Sequence, residues 1–237
     1  MDTLSIVILF IMAFLPPFFY AIWIRNTEKY DREKWLPIFI CFVWGATIAI
    51  VASIILEISL QTIVFFSIED TSIIILISLV LIAPFAEELT KPLAMSFNIV
   101  KKELVEPEDG LIYGAVAGLG FSATENLVYG YEAFITEGFL FFFILITMRS
   151  VAGCLLHASA TAWTGYGYGK VVMNQSRIMR VFPYFALAII VHGLYNFLPA
   201  FGMITGVSLG LLSAFVFVAV TIYFVRKKIK TLDGIGH

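Results

Sequence analysis

Apolar residues fall along this chain in long unbroken runs between short polar segments, with neither the alternation of a half-buried strand nor the narrow stripe of a surface helix. A helix that crosses a bilayer needs roughly 20 mostly apolar residues, and seven runs supply them: 3–24, 36–57, 71–99, 110–131, 138–169, 181–200 and 202–225. The pattern predicts an all-α fold, a polytopic transmembrane helical bundle. The stretch 71–99 is long for one crossing and carries Pro84 and Pro92, each of which removes a helical N–H and favours a kink. It reads as one bent helix or as two segments, so the count is seven spans or eight. Residues 58–68 are also apolar, but about 11 residues are too few to cross. An interfacial or re-entrant piece is expected there.

Composition confirms the environment. With 60% hydrophobic and 14% charged residues and a mean hydropathy of +0.96, most of the 237 residues cannot face water. The connections are too short for a soluble domain, so a single domain over 1–237 is expected in the cell membrane. The first run has no basic segment before it and a positive cluster after it, which marks an anchor rather than a cleaved signal peptide. Thirteen of the fifteen Lys and Arg residues lie in 25–35, at 101–102, in 170–180 and in 226–230. Basic residues accumulate on the cytoplasmic side, so the N-terminus is expected outside and the C-terminus in the cytoplasm. The opposite connections carry Glu57, Glu69, Asp70, Glu132 and Glu137, while Lys91 and Arg149 fall within spans. A net charge of −2 argues against a nucleic-acid partner. Cys41 and Cys154 are both mid-span and suggest neither a disulfide framework nor a metal-binding pair.

Candidate chemistry lies where charge is most expensive. Ionisable groups at membrane depth cost at least ~2.5 kcal/mol each, so they usually face a bundle interior or a wet cavity and mark function. This chain places Glu87, Glu88 and Lys91 in one apolar run, Glu125 and Asn126 in the next, His157 in a third, and His192 with Asn196 in a fourth. Counting from the expected cytoplasmic helix ends, Glu87, Glu125, His157 and His192 all fall roughly 15–22 Å deep. Helical spacing puts Glu87 and Lys91 on one face, and His192 and Asn196 on another. Small residues recur every four positions at Gly110, Gly114, Gly118 and Ser122, a stripe that lets helix backbones approach closely. The stripe does not fix an oligomeric state.

Plainer readings exist for each residue. Glu87, Glu88 and Lys91 can be an internal ion pair that fixes packing, yet two acids for one base leave a carboxylate over. An intramembrane His can simply bond a backbone carbonyl, and Glu125 with Asn126 can bond neighbouring helices. Arg149, about 30 Å up, reads as a side chain snorkelling to the outer interface. A proton- or ion-coupled transporter would also use mid-membrane carboxylates and imidazoles, although the internal repeats common in transporters are not apparent.

The ordered set Glu87-Glu88-x-x-Lys91, Phe121-x-x-x-Glu125-Asn126, His157 and His192-x-x-Tyr195-Asn196 resembles the signature of the PrsW intramembrane proteases. That family is related to the type II CAAX prenyl proteases and the bacteriocin-processing proteases. The resemblance covers residues 80–200 and implies intramembrane endopeptidase activity on a membrane-anchored protein, such as an anti-sigma factor in regulatory proteolysis. It implies that Glu87 is the catalytic glutamate and that His192 and Asn196 stabilise the oxyanion. The prenyl protease relatives tend to have His where this chain has Glu125.

Amide hydrolysis needs a base for water and a donor for the oxygen that gains charge. The expected catalytic set is Glu87, Glu88, Glu125, His157, His192 and Asn196, supported by Lys91 and Asn126. Resemblance to glutamate-dependent relatives implies no cofactor. Zinc is the alternative, held by Glu87, Glu125, His157 and His192.

Overall fold

The computed structural model describes residues 3–235, and the side chains of all of these except 203–205. Every regular element among the described residues is helical. Seven long helical segments follow in order: α1 (Thr3–Arg25), α2 (Trp35–Ser67), α3 (Thr71–Ser96), α4 (Asp109–Glu137), α5 (Phe139–Met173), α6 (Phe182–Thr205) and α7 (Val207–Asp233). Short polar or glycine-marked turns separate them. Asp70 starts α3 by accepting the N–H groups of Ser72 and Ile73, so it caps otherwise unpaired donors. Gly138 and Gly206 adopt positive φ of 87° and 110° at the α4–α5 and α6–α7 turns, conformations that side chains with a Cβ rarely adopt.

Among the described residues, six segments are long and apolar enough to cross a membrane: α1, α2, α3, α5, Ile178–Gly202 (a 3₁₀ turn running into α6) and α7. The helix over the expected span 110–131 is not among them, because its glycines, Glu125 and Asn126 dilute its apolar content. It is nevertheless the most enclosed helix, with every residue from Asp109 to Ala123 buried. Close packing explains the glycines. A Cβ on Gly110, Gly114 or Gly118 would overlap the backbone carbonyl of Gly165, Thr161 or His157 on α5. One on Gly120 would overlap the Phe42 carbonyl of α2. Apolar side chains such as Phe10, Phe39, Ile55 and Val216 point outward, as expected of a lipid-facing surface.

One expectation needs correction, and one open alternative is resolved. Residues 58–68 form no separate interfacial or re-entrant piece: α2 runs unbroken to Ser67, about 50 Å at the helical rise. Glu57, expected in an outer connection, consequently lies inside α2. The 71–99 stretch is one irregular rod to Ser96, with a π-helical turn at Ser78–Ile82 and a 3₁₀ stretch at Lys91–Ser96. Pro92 accounts for the second irregularity, since it lacks the N–H an α-helix would need there.

The π-helical turns serve packing. The turn at Gly45–Ala49 in α2 presents the Ala46 carbonyl to the Thr124 hydroxyl at 2.6 Å. The turn at Ser78–Ile82 presents the Leu79 carbonyl to Asn196 Nδ2 at 3.0 Å. Each ties an irregular backbone to a helix that carries site residues. At the basic end, Lys34 pairs with Glu103, Asp233 accepts the N–H groups of Lys29 and Tyr30, and Arg226 bonds Thr27. The 25–35, 101–108 and 226–233 segments therefore gather at one end of the bundle.

Candidate active site

Lys91 lies at the centre of the polar cluster. Its Nζ lies 2.7 Å from Glu87 Oε2, 2.9 Å from Glu88 Oε1 and 2.8 Å from His157 Nδ1. The side chain is fully buried, and its ammonium also stands 4.3 Å above the Phe121 ring. One lysine thus joins α3, α4 and α5, and Phe121 gains a cation–π role.

The two adjacent glutamates divide their work. Glu88 is fully buried and saturated, accepting from Lys91, from the Thr161 hydroxyl at 2.8 Å and from His192 Nδ1 at 2.9 Å. Glu87 is 6% exposed and lines a cavity of about 860 Å³. Consecutive helical residues diverge by about 100°, so one carboxylate faces the packed interior and the other the open space.

Each imidazole has a carboxylate on one nitrogen. His157 Nε2 lies 2.7 Å from Glu125 Oε2, and His192 Nδ1 lies 2.9 Å from Glu88. Their other nitrogens turn inward, with His157 Nδ1 3.6 Å and His192 Nε2 3.8 Å from Glu87 Oε2. The rings stand nearly perpendicular with centroids 5.0 Å apart. One ligand atom from each of Glu87, Glu88, His157 and His192 lies within 4.8 Å of the others, a group able to hold a metal ion. Glu125 is not in that group. It lies behind His157, with Oε2 2.7 Å from Nε2.

Arg149 corrects the sequence reading. Its Nη2 lies 2.8 Å from Glu125 Oε2, its Nε donates to Asn126 Oδ1 at 3.0 Å, and its guanidinium stacks 4.0 Å from the Tyr129 ring. Asn126, fully buried, also reaches Cys154 Sγ at 3.4 Å, so it positions Arg149 from behind. Asn196 lines the cavity together with His192, but one of its amide hydrogens is committed to Leu79. The second remains for another acceptor.

The cavity brings Glu57, Glu132 and Arg149 to the same space as Glu87, Glu125, His157, His192 and Asn196. Much of its remaining wall is apolar, including Ile50, Leu79, Ile144 and Phe215. Sequence reasoning missed Glu57, Arg149 and Thr161. Thr161 had a legible signal, one helical turn beyond His157 on the same face.

The sequence matches known proteins in the same region. The model of the PrsW family intramembrane metalloprotease matches residues 33–224, which contain every residue of this cluster. Protease PrsW of Clostridioides difficile (strain 630) is 27% identical over 194 residues, covering 80% of this chain and 78% of that protein. No solved structure matches.

Proposed function

Because the chain belongs to the PrsW family of intramembrane metalloproteases, we propose that it cleaves a membrane-anchored protein in the cavity that Glu87 enters, using water activated at that carboxylate. It is an intramembrane endopeptidase and a multi-pass membrane protein, and family membership disfavours the transporter reading. We place seven crossings, α1 to α7, with the N-terminus outside, so that the site lies at membrane depth and residues 80–200 form the working core of a single domain.

The observation that carries this reading is the contrast between the two glutamates. Glu87 alone of the pair reaches the cavity, while Glu88, Lys91 and Thr161 hold its surroundings in place. Water beside Glu87 gives its proton to that carboxylate as it attacks the peptide carbonyl. The developing oxyanion is stabilised by His192, when protonated at Nε2, and by the second hydrogen of the Asn196 amide. The proton then passes to the leaving amine, with His157 placed between Glu87 and Glu125 to relay it. Arg149 pairs with Glu125 and keeps it aimed at His157.

A metal fits the donor set in kind. Carboxylate oxygens and imidazole nitrogens are zinc ligands, and both imidazoles already have a carboxylate behind them. Glu87, His157 and His192 would hold the ion, with Glu88 beside them and Glu125 orienting His157. When bound, zinc lowers the pKa of water and polarises the scissile carbonyl. Lys91 stands among the same donors, so its ammonium must turn aside for an ion to enter.

Proteoliposomes containing the purified chain and a membrane-anchored reporter peptide test the proposal. The native chain should cleave the reporter, and Glu87→Gln should abolish cleavage while the protein remains folded in the membrane. An active Glu87→Gln variant overturns the assignment. Loss of activity with a chelator, restored by zinc, identifies the metal-bound form as the working one.

A further inference from the structure

At the basic end of the bundle lies a second cluster of acids, none of which lines the cavity. Several of its oxygens are accounted for. Asp109 accepts the N–H groups of Val105 and Glu106, and Asp233 those of Lys29 and Tyr30. The Tyr113 hydroxyl donates to Glu33 Oε2, and the Glu33 N–H donates to Glu28 Oε2. What remains is unusual. Glu28 is fully buried, Glu33 is 5% and Glu108 2% exposed, yet Glu28 Oε1, Glu33 Oε1 and Glu108 Oε2 have no hydrogen-bond partner. Among the described residues, no lysine or arginine is ion-paired with Glu28, Glu106 or Glu108; the neighbouring Lys34 pairs with Glu103 instead.

A buried carboxylate oxygen without a partner is costly, and a bound cation is one of the few remedies. Glu28, Glu106 and Glu108 each offer an oxygen, and the three atoms lie within 4.8 Å of one another. A point no more than about 2.8 Å from all three therefore exists, close to the calcium–oxygen distance of ~2.4 Å. An all-oxygen donor set selects hard cations over zinc.

We propose that Glu28, Glu106 and Glu108 bind one hard divalent cation of the calcium or magnesium class, which fastens the α1–α2 connection to the segment before α4. The three ligands come from connections about 80 residues apart in sequence. The ion joins them where Lys34–Glu103 and the Asp233 contacts already draw the same segments together. It lies outside the catalytic cluster and does not depend on how that cluster hydrolyses peptides.

The test uses the purified full-length chain in detergent, stripped with chelator and titrated calorimetrically with calcium and, separately, magnesium. His192→Ala is titrated alongside to remove a donor of the catalytic group. The expected result is binding of one calcium or magnesium ion with Kd below about 1 mM, retained in His192→Ala. Glu28→Gln with Glu108→Gln should abolish that binding. Should the double variant fail to fold, Glu106→Gln decides, because that residue is only partly buried; it should weaken binding by about tenfold or more. No binding of either ion at about 10 mM, or unchanged affinity in Glu106→Gln, overturns the proposal.

Discussion

His157 Nδ1 lies 2.8 Å from the ammonium of Lys91, a group that has donors and no acceptor. Nδ1 must therefore accept, and the ring proton resides on Nε2, where it is donated to Glu125. The tautomer of the central imidazole is thus set by two residues that never touch each other. Glu125→Gln should disturb this arrangement, because its amide can offer an NH₂ group where an acceptor is required. Reporter cleavage in Glu125→Gln should fall by about 10- to 100-fold, the usual cost of losing a partner that orients a site imidazole. Helical content should stay unchanged by circular dichroism.

Arg149 restrains the same carboxylate from its other side, and Asn126 restrains Arg149. Arg149→Gln removes the charge and leaves Glu125 partly buried without its ion partner. Cleavage should drop by about 10-fold or more, and Arg149→Lys should recover only part of it, because a lysine cannot contact both Glu125 and Asn126 through a planar fork. Initial-rate measurements on the two variants check the order.

Lys91 neutralises two carboxylates inside the bundle, and removing it leaves both without a counter-ion. Lys91→Met should destabilise the folded chain by about 3–5 kcal/mol, the range for breaking a buried charge cluster from one side. Thermal unfolding in detergent measures this. If zinc enters where the ammonium stands, Lys91→Met should in addition bind zinc more tightly than the native chain.

Much of this site was legible because lipid makes polar residues conspicuous: Glu87, Glu88, Lys91, Glu125, His157 and His192 each interrupt an apolar run, and the structure brings them together. The glycine stripe was legible for the same kind of reason, since backbone contact along α4 requires small residues. Arg149 and Glu57 were misplaced because depth was counted from assumed helix ends. α5 has 35 residues, about 52 Å, against a hydrocarbon core of about 30 Å. A position counted from one end of so long a helix does not fix its depth, and Arg149 reaches Glu125 on the neighbouring helix. Glu57 was assigned to a connection because α2 was expected to stop there. No propensity marks the π-helical turn at Ser78–Ile82, whose value lies in the contact it makes with Asn196.

Gly118 meets the backbone carbonyl of His157 itself. The closest atoms a methyl group would meet there are backbone, so Gly118→Ala must push α4 away from α5 at the level of the polar cluster. Stability should fall by about 1–3 kcal/mol, as for an overpacked core, and cleavage should fall along with it because Phe121 and Glu125 follow on the same helix. Gly138→Ala lies in open space but at positive φ, so it should cost stability without the same loss of activity per folded molecule. Comparing activity normalised to folded protein separates the two effects.

The acids at the basic end should make stability pH-dependent. Burial pushes the Glu33 carboxyl up from its ordinary 4.5 to about 10, reinforced by the field of Asp109, and burial likewise pushes Glu28 up to about 8 and Glu108 up to about 7. The folded chain then holds more protons than the unfolded chain between about pH 4.5 and these raised values. Stability from the protonated carboxyls is complete below that window and is lost as pH rises through it. In chelator, the unfolding temperature of the native chain should therefore decline between pH 5 and pH 9. Glu33→Gln keeps an acceptor for Tyr113 but has no proton to lose, so its decline should be shallower. A native chain whose unfolding temperature rises across this interval would contradict the direction of these shifts.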